Sequence, residues 1–121
     1  MLLRTDWSKH VEDPAIYRDG LPRISAELAH WCVAKRVKLL GVEPPSVADV
    51  NNQAEVTLIH KILLGGQVVI VEGLTNLDQL TQNRVFFVAL PLKPLAGDGS
   101  PCRAIAIEGI PPEGWLKGGA V

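Results

Sequence analysis

The sequence has no excess of charge of either sign. Twelve Lys and Arg stand against thirteen Asp and Glu, which gives a formal net charge of −1, and no block of basic residues occurs along the 121 residues. Proteins that bind nucleic acid or anionic lipid usually carry such a block. The composition therefore argues against both classes of partner. The length predicts one small domain, residues 1–121, with a real hydrophobic core.

Long apolar runs are also absent. Met1-Leu2-Leu3 is followed at once by Arg4 and Asp6, so the start of the chain lacks the apolar core of a secretory signal. No later run approaches the ~20 apolar residues of a transmembrane helix. These two absences predict a cytoplasmic protein.

Cysteine is scarce, and its spacing excludes the common cysteine motifs. Cys32 and Cys102 lie far apart in apolar contexts, and no CxxC pair occurs. We therefore predict buried reduced thiols rather than a disulfide or a zinc knuckle.

What the sequence does contain is an alternation of helix and strand patterns. "MLLRTDW" and "VKLLGVE" predict short strands, and a helix is expected from Ser25, with Ile24, Leu28, Trp31 and Cys32 on its buried face. The polar stretch Ser8 to Pro22 reads as an exposed loop. Trp7 and Trp31 are expected to pack, and Trp115 to be exposed on a tail or at an interface.

The second half of the pattern contains one helix and three strands. A helix is predicted from about Ala54 to Leu64, ended by Gly65-Gly66. The β-branched run in "QVVIVEG" predicts a strand buried on both faces, and "RVFFVALPL" and "CRAIAIEGI" predict two more strands joined by a turn. The order of these elements predicts an α/β domain with a mixed β-sheet and flanking helices.

His60 and Glu72 are the two polar residues that need an explanation within the otherwise apolar stretch "LIHKILLGGQVVIVEGLTNL". On a helix, His60 shares a face with Val56, Leu63 and Leu64, so its imidazole is expected to point inward. Glu72 ends a strand, and ligands of open α/β sheets gather beyond the carboxyl ends of strands.

The chain between these two residues can bring them back to one point. An imidazole and a carboxylate together suit a divalent metal such as zinc or manganese, but they make only half a metal site. The alternative is a hydrogen-bonded core histidine and an exposed glutamate at a strand end.

Four segments of the chain resemble successive landmarks of the cyclase family of metal-dependent hydrolases, which includes bacterial kynurenine formamidase (arylformamidase) and isatin hydrolase. They are "RTDWSKH", "VKLLGVEPPSVAD", "HKILLGGQVVIVEGLTNLDQL" and "FFVALPLKPLAGDGSPCRAIAI". The resemblance implies half of a swivelling β/β/α domain. It also implies that His60 and Glu72 are metal ligands, and that the activity is arylformamidase-type hydrolysis of an amide C–N bond, as in tryptophan catabolism to kynurenine.

The sequence departs from this family in two respects. It does not contain the earlier motif HxGTHxDxPxH, which supplies the family's other ligands, and neither His10 nor His30 lies in a similar context. It also has Glu43-Pro44 where many relatives have Asp-Thr. Set against the family, the chain resembles the C-terminal half only, which predicts that the isolated chain is incomplete, holds no stoichiometric metal and is inactive.

Two functions of different classes remain open at this point. The first is a metal-dependent hydrolase, assembled with a separately encoded N-terminal half and acting on a small molecule. The second is a non-catalytic oligomeric binding or assembly protein that retains the fold. In both cases we expect a homo-oligomer, because half of a sheet leaves edges and apolar surface to be covered. Catalytic and substrate-binding residues are not identified.

Overall fold

The computed structural model describes residues 1–110. The chain divides after Asp78 into two compact units. The first, Met1–Asp78, contains a parallel sheet with helices, and the second, from Gln79 onward, contains an antiparallel hairpin. The predicted α/β class with parallel and antiparallel strands is thus confirmed, with the two kinds of strand in two separate sheets. That residues 1–121 form a single domain stays a prediction.

The sheet of the first unit has three short parallel strands, β1 (Leu2–Leu3), β2 (Leu39–Val42) and β3 (Val69–Val71). Their order is β1-β2-β3, so β2 is the middle strand. Because all three strands run in the same direction, the segments that follow them all leave the sheet at its carboxyl-terminal end. Gly41 in β2 leaves room for two leucine side chains, since a Cβ there would lie 2.6 Å from a methyl carbon of Leu2 and 2.7 Å from one of Leu74, and both would have to move.

Three α-helices accompany this sheet, and each begins at a side chain that caps it. The helices are α1 (Pro14–Asp19), α2 (Ala26–Ala34) and α3 (Gln53–Gly65), and their caps are Asp13, Ser25 and Asn52. Each cap accepts a hydrogen bond from a backbone N–H in the first turn, which satisfies a donor that the helix itself leaves unpaired. No helix within residues 1–110 combines the length and hydropathy that a membrane crossing requires.

The core of the first unit lies between α2, α3 and the sheet. Its members include residues that are 0–2% exposed: Ala29, Cys32, Leu40, Val47, Ala48, Ile59, Leu63 and Val68. Each large aliphatic side chain buried in this way stabilises the fold by about 1.5–3 kcal/mol. This core fixes α3 against the sheet and so determines where His60 lies.

The second unit contains a two-stranded hairpin. Strands β4 (Phe86–Pro91) and β5 (Cys102–Ile107) pair antiparallel, with Phe86 opposite Ile107 and Pro91 opposite Cys102. Both strands were predicted from the sequence, as was the turn between them. Several of their apolar side chains are exposed, among them Leu90 and Ile105.

The stretch from Ser8 to Pro22 is largely exposed, as predicted, but the prediction that it forms a loop is wrong. The region contains a 3-10 helix, Trp7–His10, and all of α1. Asp13-Pro14 was interpreted as a break, but Asp13 caps α1 and Pro14 is its first residue. Proline suits that position because its fixed φ is helical and its missing N–H has no helical partner there.

Some predictions of burial are also wrong. Trp31 is 47% exposed, because α2 turns Ala29 and Cys32 toward the core. Val69 is 56% exposed although Val68 and Val71 are buried, so the strand is not buried on both faces. Leu64, expected on the inward face of α3, is also 56% exposed. Both cysteines are free, as predicted, but Cys102 is exposed at the start of β5. Trp115 lies outside the described residues.

Candidate metal centre

His60 and Glu72 lie side by side in the first unit. His60 is in the second half of α3, and Glu72 directly follows β3. His60 Nε2 lies 3.8 Å from Glu72 Oε1, and the two side chains are 30% and 32% exposed. The Gly65-Gly66 helix end and the short strand β3 between them reverse the chain and bring the two groups together.

The imidazole of His60 is held in one orientation by its own helix. His60 Nδ1 lies 2.8 Å from the carbonyl oxygen of Val56, one helical turn earlier. Because a carbonyl oxygen only accepts, the proton of this hydrogen bond belongs to Nδ1. The neutral ring therefore presents the lone pair of Nε2 toward Glu72, which is the state in which histidine binds metals.

The carboxylate of Glu72 is held by a single backbone donor. The N–H of Val47 donates to Glu72 Oε1 at 2.9 Å. Burial raises the pKa of Glu72, although the hydrogen bond from Val47 and the neighbouring His60 oppose this rise. Glu72 Oε2 has no hydrogen-bond donor among residues 1–110. The carboxylate thus keeps acceptor capacity for a positive charge.

The two side chains suit a divalent metal in chemistry and in distance. Histidine nitrogen binds zinc at about 2.0–2.1 Å and carboxylate oxygen at about 2.0–2.2 Å, so the two ligand atoms of one ion lie ~3.4 Å apart at the tetrahedral angle and at most ~4.3 Å apart. The observed 3.8 Å lies within that limit. No third ligand joins them: nowhere in residues 1–110 do three or more His, Cys, Asp or Glu side chains form a group that could hold a metal. His10 and His30 are both exposed elsewhere on the first unit.

The structure adds Glu43 to the surroundings of this site, a residue that the sequence analysis marked only as a departure from the family. It is fully buried at the end of β2, and among the described residues it is the only buried residue with an ionisable carboxyl. Its carboxylate accepts hydrogen bonds from the N–H and hydroxyl of Thr5 and, at 2.9 Å, from the hydroxyl of Ser8. Burial acts to raise the pKa of Glu43, but these hydrogen bonds outweigh it and the pKa is lowered.

The signal for Glu43 was present in the sequence as a carboxylate between an apolar strand and two prolines, "LLGVEPP". Its hydrogen-bond donors, Thr5 and Ser8, lie more than thirty residues earlier in the chain. No local pattern connects those donors to Glu43, so the sequence could suggest an unusual glutamate but not its partners.

The loop that begins at Glu43 connects the ends of the strands. The hydroxyl of Tyr17 donates to the Glu43 carbonyl at 2.8 Å, and the Gly73 N–H donates to the Pro44 carbonyl at 2.9 Å. The same loop supplies the Val47 N–H that binds Glu72. Gly73 has φ +68°, a backbone conformation that favours glycine, so the chain can turn sharply after Glu72.

Comparison with known proteins identifies relatives that are named kynurenine formamidase. Residues 1–49 match the model of the family described as "Putative cyclase". The kynurenine formamidase of Erythrobacter litoralis is 40% identical over 90 residues, which cover 74% of this chain and 40% of that protein. The resemblance to the cyclase family that the sequence predicted is thus confirmed over part of those proteins.

Solved structures agree with this result. Isatin hydrolase A from Ralstonia solanacearum is 30% identical with a TM-score of 0.73, and the match covers 88% of this chain and 44% of that one. A potential metal-dependent hydrolase with cyclase activity is 26% identical with a TM-score of 0.65, covering 87% of this chain and 48% of that one. The chain therefore spans a little under half the length of these proteins.

Proposed function

We propose that this chain, which is similar to part of a cyclase-family hydrolase, supplies His60 and Glu72 as ligands of a divalent metal in an enzyme that hydrolyses an amide C–N bond. The observation that carries the proposal is the 3.8 Å approach of His60 Nε2 to Glu72 Oε1, with Nδ1 of the same ring bound to the Val56 carbonyl. The names of the relatives support the reaction class.

Each ligand has a defined task in this proposal. A divalent metal in a hydrolase site lowers the pKa of water and polarises a carbonyl group. His60 holds its lone pair in a fixed direction, because α3 is packed in the core and the ring is bound to Val56. Glu72 supplies a negative charge that is partly shielded from water and held by Val47.

The substrate class follows from what the relatives are called. Kynurenine formamidase and isatin hydrolase are named for an acyclic aryl formamide and a cyclic aryl amide, so we propose an amide on an aromatic ring, with N-formylkynurenine as the first compound to test. Zinc sites generally take three or four protein ligands, and His60 and Glu72 are two. We therefore propose that a further polypeptide completes the site, either a separately encoded N-terminal half or a second copy of this chain.

Binding of the metal can be tested without activity. The isotopically labelled chain is titrated with Zn²⁺, and NMR follows the ring signals of the three histidines and the side-chain carboxyl signals of the glutamates. Weak binding is expected to shift His60 and Glu72 selectively. His60→Ala and Glu72→Ala should each abolish the response, whereas the exposed matched controls His30→Ala and Glu12→Gln should retain it. Equal shifts at all three histidines would contradict the proposal.

Activity is tested in a second experiment. The chain alone, with Zn²⁺ or Mn²⁺, is expected to hydrolyse N-formylkynurenine no faster than its His60→Ala variant. Adding a polypeptide that carries the family's His-rich motif should produce turnover that His60→Ala and Glu72→Ala both lose. Stoichiometric metal and turnover in the isolated chain, lost in both variants, would support the hydrolase but contradict the half-site.

The second candidate is an oligomeric binding or assembly protein without catalysis. The observation that favours it is the exposure of apolar side chains on the hairpin of the second unit, including Leu90 at 61% and Ile105 at 44%. Exposed apolar patches of this kind commonly mark contacts between proteins. Light scattering should report a homo-oligomer at tens of micromolar, and Leu90→Lys should shift it toward the monomer. A monodisperse monomer of the unsubstituted chain would contradict this candidate.

A further inference from the structure

Glu43 is a buried charge for which neither the metal pair nor the hydrophobic core gives a reason. It is fully buried, yet no salt bridge to it occurs within residues 1–110. Burying a carboxylate is costly unless hydrogen bonds replace the lost water. Three donor groups provide this replacement: the N–H and hydroxyl of Thr5, which follows β1, and the hydroxyl of Ser8, which lies in the 3-10 helix Trp7–His10.

The side chain of Glu43 and the loop that follows it are bonded to different parts of the chain. The Glu43 carboxylate faces the segment after β1, through Thr5 and Ser8. The loop that continues from it, residues 43–47, faces the segment after β3, through the Pro44 carbonyl and the Val47 N–H. Pro44, Val47 and the rest of this loop are buried except for Pro45, which is half-buried, so the loop has little freedom to move independently.

We propose that Glu43 is a positioning residue for Glu72: its buried carboxylate fixes the loop 43–47, and that loop fixes the direction in which Glu72 presents its carboxylate to His60. The inference rests on the proposed function, since it assigns to Glu43 a part in the same site. Partners of this kind, one step removed from a ligand, commonly set metal affinity through the orientation of the ligand itself.

Two links carry the effect from Glu43 to Glu72. The first is the hydrogen bond from the Val47 N–H to Glu72 Oε1, which sets the side chain. The second is the hydrogen bond from the Gly73 N–H to the Pro44 carbonyl, which sets the backbone one residue after Glu72. If the hold of Glu43 on Thr5 and Ser8 is weakened, both links are expected to open more often.

Amide hydrogen exchange of Glu43→Gln tests this directly. Glutamine keeps the shape but places an NH₂ group opposite donors that need an acceptor, so the loop loses part of its hold. The Val47 and Gly73 amides are expected to exchange about tenfold faster than in the unsubstituted chain, relative to the Val68 amide, which is bonded to Leu63 at the α3–β3 turn.

A matched control separates positioning from general loss of stability. Ala34→Gly lowers the helix propensity of α2 at its exposed last residue, at the opposite end of the helix from the loop 43–47. It should leave the ratios of the Val47 and Gly73 exchange rates to that of Val68 unchanged. Should Glu43→Gln fail to fold, Ser8→Ala removes a single donor and should give the same pattern with a smaller amplitude.

The Zn²⁺ titration then distinguishes this inference from the proposed function. Faster exchange at Val47 and Gly73 together with about tenfold weaker Zn²⁺ binding in Glu43→Gln supports both. Faster exchange in a chain that gives no Zn²⁺ response at all supports the positioning of Glu72 and overturns the proposed function. Exchange ratios that match those of Ala34→Gly, or unchanged Zn²⁺ affinity in a chain that binds Zn²⁺, overturn the positioning role.

Discussion

The loops after β2 and β3 leave the parallel sheet at the same carboxyl-terminal end and carry one glutamate each. The two glutamates differ in burial, in the number of hydrogen-bond donors and in the direction of their pKa shifts. Glu43 is fully buried and is surrounded by donors from Thr5 and Ser8, which lower its pKa. Glu72 is about one-third exposed, has one backbone donor, and has a raised pKa. A carboxylate whose acceptors are filled stabilises the fold, whereas one with unfilled acceptors beside a histidine can take a ligand.

The largest expected difference between the two is in stability. Glu43→Ala leaves the donors of Thr5 and Ser8 without their acceptor and opens a cavity, so the free energy of unfolding should fall by about 2–3 kcal/mol. Glu72→Ala should lower it by less than about 1 kcal/mol, because one backbone donor is affected and water can take the place of the partly exposed carboxylate. Denaturant unfolding of both variants checks this, with the exposed Glu12→Ala as the control. Equal losses in the two variants would remove the distinction.

A smaller effect on stability is expected from Tyr17, whose hydroxyl donates to the backbone carbonyl of Glu43 at the start of the loop 43–47. Tyr17→Phe removes the hydrogen bond from the Tyr17 hydroxyl to the Glu43 carbonyl, and should lower the free energy of unfolding by about 1 kcal/mol. Combining it with Glu43→Ala in a double-mutant cycle shows whether the two contacts act as one unit. Strict additivity would mean that the backbone and side chain of Glu43 hold the loop independently.

The smallest effect concerns pH, and the two carboxylates should differ in its sign. The pKa of Glu43 is lowered from its ordinary 4.5, so its stabilisation is complete above pH 4.5 and is lost as the pH falls through the folded-state pKa. The pKa of Glu72 is raised from 4.5, so its contribution is fully present below pH 4.5 and is lost as the pH rises through the higher folded-state value.

Glu72→Gln isolates the second of these contributions. The variant should equal the unsubstituted chain in stability below pH 4.5 and exceed it slightly near neutral pH, because glutamine avoids the partly buried charge and still accepts from Val47. Glu43→Gln should show the reverse, with its deficit largest at neutral pH. Thermal unfolding between pH 3 and pH 7 measures both, and a neutral-pH deficit in Glu72→Gln would contradict the assignment.

The strands were predictable from the sequence because their signals are local. The β-branched run around Val69–Val71 and the two hairpin strands could be placed within a few residues, and Ser25 could be identified as a cap. Proline was misread at Pro14, since the same residue breaks a helix in its interior and begins one at its first position. Burial was misread at Trp31, because the pattern of a helix does not say how wide its buried face is.

For the site, the sequence supplied the residues but not the geometry. His60 and Glu72 could be chosen as candidates because polar groups are rare in that apolar stretch, and the resemblance gave them a role. The hydrogen bond that sets the tautomer of His60, from Nδ1 to the Val56 carbonyl, depends on the geometry of α3. The hydrogen bond from the Val47 N–H to Glu72 depends on how the loop 43–47 packs. Four hydrogen bonds connect Glu43 to Thr5, Ser8 and Tyr17. They join residues that are 26–38 positions apart, so no local sequence pattern can predict them.

The two free thiols differ in burial, so chemical labelling can measure how fast the core of the first unit opens. Cys32 lies in the core of the first unit with a pKa raised by burial, so it is both inaccessible and poorly reactive while that core is closed. Cys102 is exposed at the start of β5 and is therefore accessible to a thiol reagent. After Cys102 has been blocked, label enters at Cys32 only when the core opens. At reagent concentrations high enough for labelling to outpace reclosing, the labelling rate reaches a plateau that equals the opening rate of the core.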